Sequence, residues 1–355
     1  ISKGYEVHLA TKFIDKKNFL KEYGFILHPI EMHRSNISIF GLLKNLFDIL
    51  KIINKVKPNL IHAITIKPVI IGGIASRIYK NTPFVAAISG LGFLFISKNF
   101  FSRTLKFLVK YLYKIAFSGK YIKVIFQNIS DQKIVMEFCN LKKENIALIN
   151  GSGVNLDYYK PLKNPSLSNK VLYASRLLKS KGIIEFAKSA ENLKSSRYEF
   201  LIAGKFDTQN PDCISRKDID NWQKKEIIKY LGHQSEVKNL IQQSRLVVLP
   251  SYYGEGFPKI LIEAAACGVP VVTTDHPGCR DAIIPDVTGL LVPIKNSNEL
   301  SKAISKLLDD NKLCERMSKS ARELAEKKYD IKDVVNIHMK IYKELIDKEK
   351  KSLNY

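Results

Sequence analysis

The sequence lacks the features of several protein classes. Its five cysteines show no paired spacing, which a disulfide framework or a zinc site requires. The most apolar run, residues 84–96, is too short to span a bilayer and is interrupted by Gly90 and Gly92. No signal peptide is visible. A reducing, cytosolic compartment is therefore the simplest expectation, and neither a disulfide-stapled nor a membrane-spanning protein is expected.

Acidic residues are absent from much of the first half. No Asp or Glu occurs between Asp48 and Asp131, lysine and arginine accumulate there, and the formal charge of the chain is +23. Such a charge suits a nucleic-acid binder or a protein that lies on an anionic membrane. The alternative is a bias of the coding sequence toward Lys, Ile and Asn, although bias alone would add acids as readily to solvated faces.

What the chain does contain is an alternation of strand-like and helical patterns. At 355 residues it is long enough for two domains. Alternation predicts βαβ units and parallel sheets, whose ligands gather at the carboxyl ends of the strands. We expect an α/β protein with a first domain over residues 1–155, a linker over 156–169, a second domain over 170–333, and a C-terminal helix over 334–355 that packs back on the first domain.

The first residues read as a helix end at Gly4 followed by a strand over Tyr5–Ala10. We therefore expect the sequence to begin inside the first domain, after a missing strand and turn.

Residues 101–116 predict a cationic amphipathic helix. The residues that share its apolar face are Phe101, Leu105, Leu108, Leu112 and Ile115. The residues of the opposite, basic face are Arg103, Lys106, Lys110 and Lys114. Such a helix can pack its apolar face on the sheet, or it can lie on an anionic membrane surface.

Two carboxylates flank a strand-to-helix turn in the second half. The strand over residues 246–249 leads into a loop with Glu255, and Pro258 favours a helix start, which places Glu263 inside the helix. Gly254 and Gly256 would let a ligand approach the backbone closely, and free N–H groups at the helix start favour anions. The alternative is an ordinary strand–loop–helix with two surface glutamates.

Two cations and a histidine occupy similar positions after other strands. Arg176 and Lys181 follow the strand over residues 170–174, where they can neutralise a diphosphate. Basic side chains near a helix start oppose its dipole, so a surface role leaves this placement unexplained. His62 follows the run Asn59–Ile61, and a histidine at a strand's exit is suited to chemistry; the alternative is a packed histidine.

Taken in order, these residues resemble the family 4 glycosyltransferases of GT-B architecture. The residues that carry the resemblance are Arg176, Lys181-Gly182, Glu255-x7-Glu263, residues 268–272 and Gly278. Segments 67–72, 90–95 and 151–154 look like the bacterial branch that builds polyprenyl-diphosphate-linked glycans. The resemblance extends over nearly the whole chain and implies two Rossmann-like domains, with parallel sheets, facing across a cleft.

The resemblance also implies a role for each matching residue. Arg176 and Lys181 would bind the nucleotide diphosphate, and Glu255 would hold hydroxyls of the sugar. The remaining assignments are the ribose for Glu263, the sugar phosphate for the backbone of Gly256 and Phe257, the anomeric carbon for His62, and the acceptor side for Gly90 and Gly92. No metal or other cofactor is expected, because two cations and a helix N-terminus supply the positive charge.

The implied activity is retaining transfer of a sugar, favoured as an N-acetylhexosamine from a UDP-sugar, to a lipid-linked glycan at the cytoplasmic face of the bacterial inner membrane. Two departures matter: many relatives carry a second histidine where this chain has Ile64, and the family's Gly-rich turn would precede Ile1. The alternatives are a GT-B enzyme with a soluble acceptor, a nucleotide-sugar epimerase and, more remotely, a nucleic-acid binder. The last gives no joint use to Arg176, Lys181 and the two glutamates.

Overall fold

The structure is a computed structural model that describes residues 1–13, 17–32, 39–92, 100–162, 168–194 and 197–353. Parts of three predicted segments lie outside these ranges: residues 93–95 of the motif at 90–95, residues 163–167 of the linker, and residues 354–355 of the C-terminal helix. The side chain of Arg103 also lies outside the described part.

The first half alternates short strands and helices. Its elements are β1 (His8–Thr11), α1 (Lys17–Glu22), β2 (Ile26–Pro29), α2 (Ile39–Val56), β3 (Ile61–Ile64), α3 (Ile66–Ile78), β4 (Phe84–Ile88), α4 (Phe100–Ala116), β5 (Ile122–Phe126), α5 (Ile129–Met136) and β6 (Ile146–Leu148).

The second half repeats this alternation and ends in helices. Its elements are β7 (Lys170–Ala174), α6 (Ile183–Asn192), β8 (Glu199–Ala203), α7 (Arg216–Lys224), β9 (Lys229–Tyr230), α8 (Val237–Gln242), β10 (Leu246–Leu249), α9 (Lys259–Ala266), β11 (Val271–Thr274), β12 (Gly289–Val292), α10 (Ser297–Asp309), α11 (Asn311–Lys328) and α12 (Ile331–Leu353).

The described strands pair in parallel throughout. β1 and β2 form a two-stranded sheet, and β3 to β6 form a four-stranded sheet in chain order. The second half forms a six-stranded sheet in the order β12-β11-β10-β7-β8-β9. The predicted α/β class with parallel sheets is confirmed. In the six-stranded sheet the strand order reverses between β7 and β10: the strands after β7 are added on one side of it and those after β9 on the other. Such sheets bind their ligands at this point.

Strands of the larger sheet are buried on both faces, so they read as continuous apolar runs. Val171, Leu172, Val247 and Val248 are all inaccessible to solvent and belong to one core. Such runs need no polar alternation, and for this reason they stand out in the sequence as strands rather than amphipathic helices.

The C-terminal helix joins the two halves. On α12, Val334, Ile341 and Leu345 pack against Val85 and Ile125 of the four-stranded sheet. The chain passes between the two halves twice, first near Val154 and again just before this helix, and the two segments lie side by side. The Val154 N–H donates to the Tyr329 carbonyl at 2.7 Å, and the Ile331 N–H donates to the Val154 carbonyl at 3.0 Å.

Helix α4 packs on the sheet, which is the first of the two alternatives drawn from its pattern. Its buried centre is Val109, Tyr113 and Ala116, and of the predicted apolar face Leu105 and Leu112 pack against this core. The Phe101 side chain lies outside the described part of the chain. Phe107 and Tyr111 are instead 76% and 58% exposed. The exposed surface of α4 is thus aromatic as well as basic.

Helix α2 carries a second exposed apolar stripe, formed by Phe40, Leu43 and Phe47. Both helices contact α3, which lies between them. Within the described ranges, none of the helices is both long and apolar enough to cross a bilayer.

Candidate functional site

The reversal of strand order brings the loops after β7 and β10 into contact. Gly182 has a φ of 77°, and a Cβ there would lie 2.1 Å from the carbonyl oxygen of Pro250. Only glycine fits this close approach. Lys181 precedes it in a single 3₁₀ turn, so its side chain is held beside the loop that carries Glu255.

Lys181 and Glu255 form an ion pair, with side chains only 10% and 12% exposed. Ser251 also donates a hydrogen bond to the Glu255 carboxylate at 3.1 Å. A buried charge requires a partner of opposite sign, and each of these two residues supplies one to the other. The predicted cation and carboxylate therefore lie together, although the sequence places them 74 residues apart.

Arg176, like Lys181, lies near the ring of Tyr253. Its guanidinium carbon lies 5.7 Å from the centre of the Tyr253 ring, and Lys181 Nζ lies 5.0 Å from the same centre. Arg176 also donates to Asp207 at 3.0 Å. Tyr253 and Asp207 were not among the predicted site residues, yet both could have been found: Tyr253 lies in the loop that carries Glu255, and Asp207 follows β8.

Glu263 lies inside α9, as predicted, but it is not a surface residue. Its side chain is 10% exposed, with Lys259 at 3.6 Å. The hydroxyl of Tyr159 hydrogen-bonds to it, and burial raises the pKa of the Glu263 carboxyl. The alternative of two surface glutamates is wrong for Glu255 and Glu263 alike.

The glycines of this loop approach the first domain. A Cβ on Gly254 would lie 2.8 Å from the nitrogen of Gly92, and a Cβ on Gly256 would lie 2.4 Å from the carbonyl carbon of Ser89. The space that a side chain on either glycine would take is thus filled by the backbone after β4, and the close approach of a ligand to this loop stays a prediction. Gly90 and Gly92, predicted on the acceptor side, are the residues that make this contact.

His62 does not lie where its sequence position suggested. It is the second residue of β3 rather than the residue after a strand, and its side chain faces α12. Its Nδ1 lies 2.7 Å from the Tyr342 hydroxyl, its ring stacks on His338, and its Nε2 is buried with no partner among the described residues. The packed alternative describes this residue, and its proximity to an anomeric carbon stays a prediction.

Among the residues that the structure describes, carboxylates are not clustered as a metal site would require. Asp218 accepts from the N–H and hydroxyl of Ser215, which makes it part of the cap of α7. In the described ranges, no group of three or more His, Cys, Asp or Glu side chains is placed to hold a metal ion.

The chain is similar to two known families of domains. The family model described as "Glycosyl transferases group 1" matches residues 157–324, and that described as "Glycosyl transferase 4-like" matches residues 1–128. The first of these matches includes β7 to β12, and the second includes β1 to β5.

Curated bacterial proteins match over almost the whole chain. An N,N'-diacetylbacillosaminyl-diphospho-undecaprenol alpha-1,3-N-acetylgalactosaminyltransferase of Campylobacter jejuni is 32% identical, over 92% of this chain and 88% of the relative. The capsular polysaccharide biosynthesis glycosyltransferase CapM of Staphylococcus aureus is 30% identical, over 92% and 87%. A UDP-Gal:alpha-D-GlcNAc-diphosphoundecaprenol alpha-1,3-galactosyltransferase of Escherichia coli is 25% identical, over 81% and 76%.

Solved structures share the fold at lower identity. A glycosyltransferase of Rickettsia africae superposes with a TM-score of 0.76 at 20% identity, covering 97% of this chain and 91% of that one. Anabaena Alr3699/HepE in complex with UDP superposes with a TM-score of 0.75 at 17% identity, covering 98% and 100%. At such identities the likeness concerns the fold alone.

The buried His62 predicts acid sensitivity. Burial lowers its pKa from 6.5 to about 4, and His338 adds to the effect, so the folded state binds fewer protons than the unfolded state between these values. The stability that this residue contributes is present above pH 6.5 and is lost as the pH falls toward 4. From His62 alone we expect a loss of about 2 kcal/mol in unfolding free energy between about pH 7 and pH 5.

Urea unfolding of His62→Gln at both pH values measures this effect. The variant should lose correspondingly less stability on acidification than the unsubstituted protein. His233→Gln replaces an exposed histidine and should retain the original acid sensitivity. Equal losses in all three proteins would contradict the packed, neutral state of His62.

Proposed function

The chain belongs to the family 4-like glycosyltransferases of GT-B fold, and on that premise we propose that it moves a sugar from a UDP-sugar to a polyprenyl-diphosphate-linked acceptor during bacterial glycan assembly. The observation that carries this proposal is the buried Lys181–Glu255 pair beside Arg176, at the point where strand order reverses. The Campylobacter and Escherichia relatives support the acceptor class, since both are named for diphospho-undecaprenol-linked sugars. The Campylobacter name also supports an N-acetylhexosamine as the transferred sugar.

Charge is the main demand of this chemistry. A nucleoside diphosphate gains negative charge as its bond to the sugar breaks, and fixed cations stabilise that change more than they stabilise the bound donor. Arg176 and Lys181 are two such cations, and both lie near the Tyr253 ring. With both in place the proposal requires no metal ion.

Glu255 serves the sugar rather than the phosphates. A carboxylate accepts hydrogen bonds from sugar hydroxyls, and its contact with Lys181 keeps the two binding groups side by side. The acceptor hydroxyl attacks on the face from which the diphosphate leaves, and the departing phosphate oxygen takes its proton. This course retains the anomeric configuration and needs no covalent intermediate on the chain.

A polyprenyl-linked acceptor requires the first domain to reach a membrane surface. The exposed aromatic residues of α2 and α4 lie on the same layer of helices, and α4 falls entirely in the stretch between Asp48 and Asp131 that has no acidic residue. Aromatic side chains suit the lipid headgroup region, and lysines suit anionic lipids. We place the protein as a peripheral protein at the cytoplasmic face of the inner membrane.

Transfer is measured with radiolabelled UDP-N-acetylhexosamines and polyprenyl-diphosphate-linked glycans in detergent. We expect label in the lipid fraction, and a fall of about 100-fold in kcat/KM for Arg176→Ala, because a cation that stabilises the leaving diphosphate is removed. The proposed function fails if no UDP-sugar labels any lipid-linked acceptor, or if Arg176→Ala and Glu255→Ala match the unsubstituted rate.

Single and double variants of the Lys181–Glu255 ion pair distinguish its effect on stability from its effect on catalysis. Glu255→Gln leaves the Lys181 ammonium buried without its counter-charge, and we expect it to cost about 3 kcal/mol of unfolding free energy as well as activity. The double variant Lys181→Met/Glu255→Gln removes both charges and should regain most of the stability while remaining inactive. Urea unfolding and initial rates decide this, and a double variant with full activity would exclude a catalytic role for the pair.

Membrane attachment is tested by flotation with anionic vesicles. Replacing Arg103, Lys106, Lys110 and Lys114 by Gln should release the protein, and Phe107→Ser/Tyr111→Ser should weaken binding without changing charge. The matched control replaces four exposed lysines of α12 by Gln, namely Lys340, Lys343, Lys348 and Lys350, and should float as before. Equal flotation of all variants would remove α4 from the membrane contact.

A further inference from the structure

The backbone of the Glu255 loop is held by side chain and backbone groups of the first domain. The Gly92 N–H donates to the Gly254 carbonyl at 3.2 Å. Asn128 Nδ2 lies 2.9 Å from the Gly256 carbonyl oxygen and 3.3 Å from that of Glu255. Three successive carbonyls of the loop therefore accept from the domain across the cleft.

Asn128 is itself fixed at the start of α5. Its Oδ1 accepts from the Asp131 N–H at 2.7 Å, which caps the helix, and its Nδ2 also donates to the Asp131 carboxylate at 2.9 Å. Since Oδ1 must accept at the cap, the amide can have only one orientation, with Nδ2 toward the loop. The residue is 1% exposed, so water does not compete for these bonds.

This anchoring determines the direction of the loop's N–H groups. In a planar trans peptide the C=O and the following N–H point in opposite directions. Carbonyls of Glu255 and Gly256 that face Asn128 thus turn the N–H groups of Gly256 and Phe257 away from it. Neither N–H finds an acceptor among the described residues.

A second contact, with Gly278, also limits the position of the Glu255 and Gly256 carbonyls. Behind the loop, a Cβ on Gly278 would lie 2.7 Å from the carbonyl oxygens of both Glu255 and Gly256. These two carbonyls are therefore confined between Gly278 and Asn128. Removing the amide donor leaves two buried acceptors unpaired, which favours a turn of the peptide planes.

We propose that Asn128 is a positioning residue: it reaches from the first domain to orient the Gly256 and Phe257 N–H groups toward the donor diphosphate and the Glu255 side chain toward the donor sugar. The residue touches neither donor nor acceptor. Because Asn128 belongs to the first domain and the loop to the second, the donor site is complete only when the two domains are in contact. This inference rests on the proposed function for its effect on turnover, and on the contacts alone for its effect on the loop.

Substitution at Asn128 can remove the donor group and keep the helix cap. Asn128→Asp and Asn128→Ser both retain a capping oxygen, and the serine variant adds no charge. The matched control is Asn296→Asp, because Asn296 caps α10 by accepting from the Glu299 N–H at 3.0 Å and lies in the second domain. Asn128→Ser should unfold at a somewhat lower temperature, because the loop carbonyls lose a donor. Asn128→Asp should lose more, because its carboxylate faces that of Asp131, and Asn296→Asp should be little changed.

Three measurements test the inference. Hydrogen exchange of the amides in residues 254–257 should be faster in both Asn128 variants and unchanged in Asn296→Asp. The Kd for UDP should rise about 10-fold, since two N–H donors to the phosphates are misaligned. In the transfer assay kcat should fall about 100-fold with a smaller change in KM, because misplacement of groups at the reacting centre affects the chemical step most.

The outcomes separate the inference from the proposed function. Absence of transfer by the unsubstituted protein rejects the proposed function, while exchange and UDP affinity still decide whether Asn128 positions the loop. Unchanged exchange at residues 254–257 in Asn128→Ser overturns the inference. So does faster exchange with an unchanged UDP affinity.

Discussion

The close approach of the loops after β7 and β10 is the constraint on which the site depends. Parallel strands on either side of the reversal open a gap at their carboxyl ends, and Gly182 lets one loop rest directly against Pro250 of the other. A larger residue at this position would separate Lys181 from Glu255. The glycine thus maintains an ion pair whose members come from different βα units.

Each half of the chain contributes something the other does not have. The second domain supplies Arg176, Lys181 and Glu255, while the first supplies the backbone contacts that shape the Glu255 loop. Because these contacts are hydrogen bonds between a few loops, they can break without loss of either core. A site of this kind gains its full set of donors on domain contact, and water is excluded by the same event.

Much of the architecture was predictable from the sequence. The strands of the larger sheet are continuous apolar runs, and the pattern predicted the helix now called α4 to within one residue of its observed bounds. The glycosyltransferase family indicated by the Arg176, Lys181 and Glu255 set is confirmed by the family models and relatives. These features are local, so neighbouring residues are enough to reveal them.

What the sequence could not predict depends on distant parts of the chain. Which face of β3 holds His62 is decided by α12, some 280 residues later, and the space around Gly254 is filled by the loop after β4. Phe107 is exposed because α4 buries the face that carries Tyr113. Helical spacing alone does not show which aromatic residues of this helix are buried. Asn128 reads as an ordinary cap until the partner loop is seen.

The paired crossing near Val154 and Ile331 has a mechanical consequence. The two segments that connect the domains are hydrogen-bonded to each other at one place, which makes this place the hinge between the domains. Relative motion of the domains then becomes a swing about that hinge, in which the far edge of the cleft moves most and the residues beside Val154 hardly at all. If the chain were cleaved in one of the two segments, the other would still connect the domains and hold them in the same relative position.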